Sequence, residues 1–159
     1  RRRPGAVQKL RRRVRRILRK DGPEMEFSNA ALRYLVAVYE LSDGGSAVRS
    51  VDIARMMEVS PASVVHMMGV LSQGGFVRKR RYGQVQLTGE GIRTANRLYT
   101  KAALLEAFFL QELGVDDQIA RRDAVSCLFA LSEESIEHIC CRALQKEARE
   151  PIILQASGA

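Results

Sequence analysis

The stretch that most limits how this chain can fold is Ser60-Pro61-Ala62-Ser63-Val64-Val65-His66-Met67-Met68. Ser60 is a hydroxyl N-cap and Pro61 falls in the first turn, where a missing N–H is harmless, so a helix starts here. Val64, Met67, Met68 and Leu71 recur at helical spacing and face a core. Ala62, Ser63, Val65, His66, Gly69 and Val70 are left outward. Such small, nearly uncharged residues let that face lie close against another surface. Upstream, residues 51–57 read as a short helix capped by Ser50, with Ile53 and Met57 inward, and Glu58-Val59-Ser60 is a turn of helix-turn-helix length. Downstream, Gly74-Gly75 stops the second helix, and two strands follow at 76–80 and 84–87 around Tyr82-Gly83. The hairpin tip gathers Arg78, Lys79, Arg80 and Arg81. Helix, turn, helix and basic hairpin make a winged helix-turn-helix with a two-stranded wing. In such a unit the second helix enters the major groove of double-stranded DNA, and wing cations such as Arg80 and Arg81 reach phosphates.

The rest of the chain is helical. A helix at 29–41, capped by Ser28 and ended by Asp43-Gly44-Gly45, presents Leu32, Leu35, Val36 and Tyr39 to the core. After the wing, Thr88-Gly-Glu-Gly91 leads from strand into a long helix at about 90–113, which breaks at Gly114-Val115-Asp116-Asp117. Further helices cover about 118–131 and from Ser132-Glu133-Glu134 to about 148. Ala124, Val125, Cys127, Leu128, Phe129 and Leu131 are nearly continuous, which predicts a helix buried all round and, with it, a homodimer interface. The fold class expected is mainly α, with an α-helical dimerisation domain after the winged helix. Its divisions are a basic arm (1–22), the winged domain (23–92), the dimerisation domain (93–148) and a tail (149–159).

The net charge of +8 is localised. Residues 1–20 hold 11 of the 26 Lys and Arg and no acid; the other 15 bases face all 18 acids, so the body is net −3. Within the basic segment Val7, Leu10, Val14, Ile17 and Leu18 line one face of a cationic amphipathic helix. Three roles are open to it. Arg11, Arg12 and Arg15 can hold DNA backbone while the apolar stripe docks; the segment can be a disordered or partner-bound tail; or it can lie on an anionic membrane surface, the weakest of the three.

Several motifs in order resemble one family. Tyr34-Leu-Val-Ala-Val-Tyr39-Glu-Leu, Val51-Asp-Ile-Ala54, Val59-Ser-Pro-Ala-Ser-Val64, Gly75-Phe-Val77, Tyr82-Gly83, Leu87-Thr88-x-x-Gly91, Leu104-Leu-Glu106-x-Phe108 and Leu113-Gly-Val-Asp116 together resemble the diphtheria toxin repressor and manganese transport regulator family of metal-responsive repressors. The resemblance covers about residues 28–145. It implies a DNA-binding homodimer of the shorter, manganese-type build, without an added SH3-like domain. It also places Ser60 and Ser63 at DNA, where Ala62 can touch a thymine methyl. His66 is open to a base edge or phosphate, and equally to plain solvent.

The same resemblance puts the family's metal ligands at positions held here by Arg33, Val36, Ala102, Arg121, Val125, Leu128 and Phe129, with only Glu106 still able to ligate. A transition-metal site needs several N, O or S donors on one ion. The expectation is therefore a regulator without cofactor or metal control, with Arg121 placed to pair with Glu106. A relocated metal, thiol or small-ligand control keeps the DNA binding as a second reading. The third is a module whose cationic helix binds membrane or an acidic partner. His138, Cys140 and Cys141 cluster, but adjacent cysteines point about 100° apart on a helix, and ordinary packing accounts for them better. Two histidines without a nucleophile–carboxylate pairing, and no phosphate-cradling glycine loop, leave no case for an enzyme. Three cysteines without framework spacing, no run of about 18 apolar residues and no signal-like segment predict a cytoplasmic protein.

Overall fold

Side-chain caps fix where most helices begin. In the computed structural model, which describes residues 28–147 together with Arg12 and Arg16, Ser28 Oγ accepts from Ala31 N (3.2 Å) and opens α1 (Asn29–Leu41). After β1 (Val48–Arg49), α2 (Ser50–Met57) ends at Glu58, a C-cap held in the left-handed region (φ 54°, ψ 44°). That residue turns the chain back, and Val59 N donates to Ala54 O (3.1 Å) to close the helix. Ser60 then caps α3 (Pro61–Gln73) by accepting from Ser63 N (3.2 Å), with Pro61 in the first turn. β2 (Val77–Lys79) and β3 (Gln84–Leu87) form the hairpin. Thr88 Oγ1 accepts from Gly91 N (3.0 Å) at the start of α4 (Gly89–Phe108), which continues through a π-helical turn (Phe109–Leu113) to a left-handed Gly114. Asp116 caps α5 (Asp117–Ala130), and Ser132 Oγ accepts from Ser135 N (3.3 Å) at α6 (Glu133–Glu147).

The chain divides into two compact units, separating between Tyr99 and Thr100. In the first, Leu35 and Val38 of α1, Ile53 of α2, Val64, Met68 and Leu71 of α3, and Val77, Val85 and Leu87 of the sheet form one core. The sheet has three strands in the order β1-β3-β2, all antiparallel, with Val48 opposite Val85 and Val77 opposite Leu87. The wing is thus the expected hairpin with a two-residue strand added at its root.

Three expectations of detail change. Ser50 is the first residue of α2 rather than its cap, and its Oγ donates to Gly83 O (2.7 Å); Arg49 takes the cap position without a side-chain capping bond. The buried face of α1 is Ala31, Tyr34, Leu35, Ala37 and Val38, with Leu32 and Tyr39 only packed against it. The polar residues Asn29, Arg33 and Glu40 lie together on the opposite, exposed side, so they set the phase rather than the largest apolar residues. Val70, read as outward on α3, is half-buried and packs on the core.

In the second unit, Leu105 of α4, Ala120, Ala124 and Leu128 of α5, and Ile136, Cys140, Cys141 and Ala143 of α6 are buried. Within one chain α5 is not buried all round. Ala120, Ala124 and Leu128 make a single stripe at four-residue spacing, Val125, Cys127 and Phe129 are half-buried, and Leu131 is exposed. Lys101 is 6% exposed and donates to the Glu133 carboxylate, so α4 and α6 are tied by an ion pair inside this unit.

Candidate nucleic-acid interface

The candidate recognition surface is built on α3. Ser60, Pro61, Ala62, Ser63, Val65 and His66 are all exposed, because Val64, Met68 and Leu71 take the opposite side of the helix into the core. No acidic residue lies in its first turn and no basic one in its last. The Ser60 and Ser63 hydroxyls stand 2.9 Å apart and share a hydrogen bond, so the two side chains present one polar spot at the helix N-terminus. Helix N-termini favour anions through their unpaired N–H groups. His66 makes no hydrogen bond to another described residue.

The wing cations do not stand together at one tip. Arg78 and Lys79 belong to β2, Arg80 follows the strand and Arg81 begins the turn (Arg81–Gly83). Strand alternation divides them between two faces. Arg78 and Arg80 lie on the side of Gln86; Lys79, with Val77, lies on the other. Lys79 runs out over α3, where its Nζ lies 3.8 Å from the point a Cβ on Gly69 would occupy. The Lys79 ammonium thus lies beside α3 at Gly69, at a distance that an added Cβ would also tolerate. Sequence reasoning named Gly69 only as outward and small; its pairing with Lys79 needed the register of the hairpin.

Arg80 is the best anchored of the four. Its Nε (3.0 Å) and Nη2 (2.6 Å) both donate to Gln86 Oε1, and Gln86 Nε2 donates to Gly45 O (3.1 Å). This chain of bonds braces the wing against the loop after α1. Arg78, Lys79 and Arg81 are exposed and have no ion-pair partner among the described residues. Beside α2, Arg49 donates to both Asp52 oxygens (2.8 and 3.1 Å), which holds the Asp52 carboxyl below its ordinary range; Arg55 lies 3.6 Å from the same group.

Of the basic arm, Arg12 is helical and exposed; Arg11 and Arg15 lie outside the described residues. The positions that the family resemblance marks for metal are spread over both units. On α1, Arg33 is exposed and Val36 half-buried. On α4, Ala102 and Glu106 are half-buried. On α5, Arg121 is exposed, Leu128 is buried, and Val125 and Phe129 are half-buried. The expected Glu106–Arg121 ion pair is not formed among the described contacts. No group of three or more His, Cys, Asp or Glu able to hold a metal ion occurs among the described residues. Cys127, Cys140 and Cys141 are thiols rather than disulfides, and His138 Nδ1 bonds the Glu134 carbonyl (2.8 Å) one turn back on its own helix. No described helix is long and apolar enough to cross a membrane.

Comparison with known proteins agrees with this layout. Residues 26–85 match the iron dependent repressor N-terminal DNA binding domain, and residues 88–148 match the iron dependent repressor metal binding and dimerisation domain. The transcriptional regulator MntR of Shouchella clausii is 32% identical over 106 residues, which cover 67% of this chain and 73% of that protein. An uncharacterized HTH-type transcriptional regulator of Methanocaldococcus jannaschii is 26% identical over 107 residues, 67% of this chain and 86% of that protein. The crystal structure of IdeR from T. acidophilum has the same fold, with a TM-score of 0.64 at 22% identity over 79% of this chain, which spans 56% of the IdeR chain. With two consecutive domains matched in register and a regulator alike over most of its length, the chain belongs to the iron dependent repressor family.

Proposed function

We propose that this protein is a cytoplasmic transcriptional repressor that binds a palindromic operator as a homodimer, without metal control and without enzymatic activity. DNA binding and dimerisation are what the family's two domains provide, and this chain matches both. The observation that carries the reading is the exposed, capped face of α3 flanked by Lys79 and the unpaired cations of the wing. Ser60, Ala62, Ser63 and His66 meet base edges and the nearest phosphates, while Arg78, Lys79, Arg80 and Arg81 hold the backbone. Arg11, Arg12 and Arg15 add further backbone contacts from the arm.

The family name implies a metal, and the residues present do not fit one. Arg33 and Arg121 carry guanidinium groups that stay protonated and repel a cation. Val36, Ala102, Val125, Leu128 and Phe129 offer no donor, and Glu106 alone is one ligand where several are needed. Packing between aliphatic and aromatic side chains holds the helices in place of an ion.

Selection of duplex DNA from a random pool with chelator present tests both parts. A palindromic site is enriched, and added Mn²⁺, Fe²⁺ or Zn²⁺ leaves its affinity unchanged. A tenfold gain with any of these, about 1.4 kcal/mol, overturns metal independence. A pool with no enriched sequence overturns specific recognition.

A further inference from the structure

The turn at the wing tip is built from the wrong residue for a turn. Gln84 N donates to Arg81 O, and both central residues have positive φ: Tyr82 at φ 58°, ψ 38° and Gly83 at φ 68°. Two consecutive positive φ values are the signature of a type I′ hairpin turn, whose first central position favours Asn, Asp or Gly. A bulky side chain there is an outlier. Tyr82 gains nothing by packing, since it is 93% exposed, the highest value of any large apolar residue described. Neither local propensity nor burial accounts for a tyrosine at this position. An observed backbone outlier of this kind points toward function.

The tip is also held still. Ser50 Oγ donates to Gly83 O (2.7 Å), Arg80 N donates to Gln84 O (2.7 Å), and the Arg80–Gln86–Gly45 chain braces the strand beneath it. An aromatic ring next to the exposed Arg81 is thus projected from a preorganised support.

We propose that Arg81 and Tyr82 form a minor-groove reader, inserted into A·T-rich base pairs bordering each half-site. This rests on the DNA-binding reading above and names a specificity that α3 does not supply. Three residues at the tip are too slight to fill a major groove about 12 Å wide, but a flat ring and one guanidinium suit a minor groove about 6 Å wide. A·T-rich duplex narrows that groove and deepens its negative potential, which attracts an inserted arginine. The 2-amino group of guanine projects into the same groove and obstructs the ring.

The test uses the full chain and three duplexes that share the selected palindrome and differ in the bordering pairs: A·T, G·C or inosine·C. Inosine lacks the 2-amino group, so inosine·C looks like A·T from the minor groove and like G·C from the major groove. The wild type binds the A·T and inosine·C duplexes about tenfold more tightly than the G·C duplex, the scale of one mismatched pair. Tyr82→Asn installs the residue the turn prefers, so it preserves the hairpin, and thermal melting confirms that the variant is folded. Combined with Arg81→Gln, which removes the second reader, it binds all three duplexes within about twofold of one another. Discrimination retained by the double variant, or inosine·C behaving as G·C does, overturns the inference. Specific binding that ignores the borders overturns the inference alone, whereas absence of any specific binding removes it together with the proposed function.

Discussion

Lys101 carries its charge where charge is hard to keep: the side chain is 7% exposed and its partner, Glu133, is 60% exposed. A buried ammonium persists only while it is paired, and removing the partner is worse than removing the charge itself. Glu133→Ala therefore destabilises the helical unit by about 1–3 kcal/mol, while Lys101→Met changes it by less than about 1 kcal/mol. Thermal melting of the two variants orders them, and the reverse order would rule out the pair as a support. Beside it, burial pushes the Cys140 thiol up to about 12 from an ordinary 9.0, against a smaller opposing pull from Lys101. The folded thiol stays protonated while the unfolded one ionises, so its contribution is intact below pH 9 and is lost as pH rises from 9 toward about 12. Alkylation at neutral pH follows the same logic: Cys140 reacts only after denaturation. Early labelling of Cys140 without unfolding would contradict its burial.

At the scale of elements, the join between wing and α4 is the tightest place in the first unit. A Cβ on Gly91 would stand 2.0 Å from the Phe76 carbonyl oxygen, which also accepts from Thr88 N (2.9 Å). Gly91→Ala forces helix and strand apart and destabilises by about 3 kcal/mol or more. A melting temperature lowered by more than about 10 °C is the expected reading; no shift would mean that the helix start moves freely. The sequence announces this junction as Thr88-x-x-Gly91, but not why the glycine is required, since that depends on Phe76 being folded back against it. The recognition helix was legible for a similar reason: Ser60, Pro61 and the core spacing of Val64, Met68 and Leu71 act locally. The phase of α1 is carried by its polar residues, Asn29, Arg33 and Glu40 on one exposed side, and a reading from Leu32, Val36 and Tyr39 misses it. The wing cations were found by composition, yet their division between two faces follows from the pairing of Arg78 with Gln86 and Lys79 with Val85. Arg78→Gln is expected to weaken binding to all sequences alike and to flatten the salt dependence by about 0.9 per protomer, the mark of a lost phosphate contact.

For the whole molecule, two half-sites can be read at once only if two copies of α3 are held apart by a fixed distance, and that is set by the dimer. In the single chain, α5 buries only the stripe Ala120, Ala124 and Leu128, leaving Val125, Cys127 and Phe129 half-covered. The continuity of apolar residues along this helix exceeds what its own unit uses, and a second copy is expected to supply the difference. Val125→Lys places a charge on that remaining flank; lysine is chosen over an acid so that no metal donor is introduced at a family ligand position. The variant is expected to sediment as a monomer with the helical content of the wild type. Each copy of α3 still meets its half-site, so affinity for a single half-site is unchanged, while the advantage of the full palindrome over the half-site disappears. A variant that remains dimeric and keeps that advantage would move the interface away from α5.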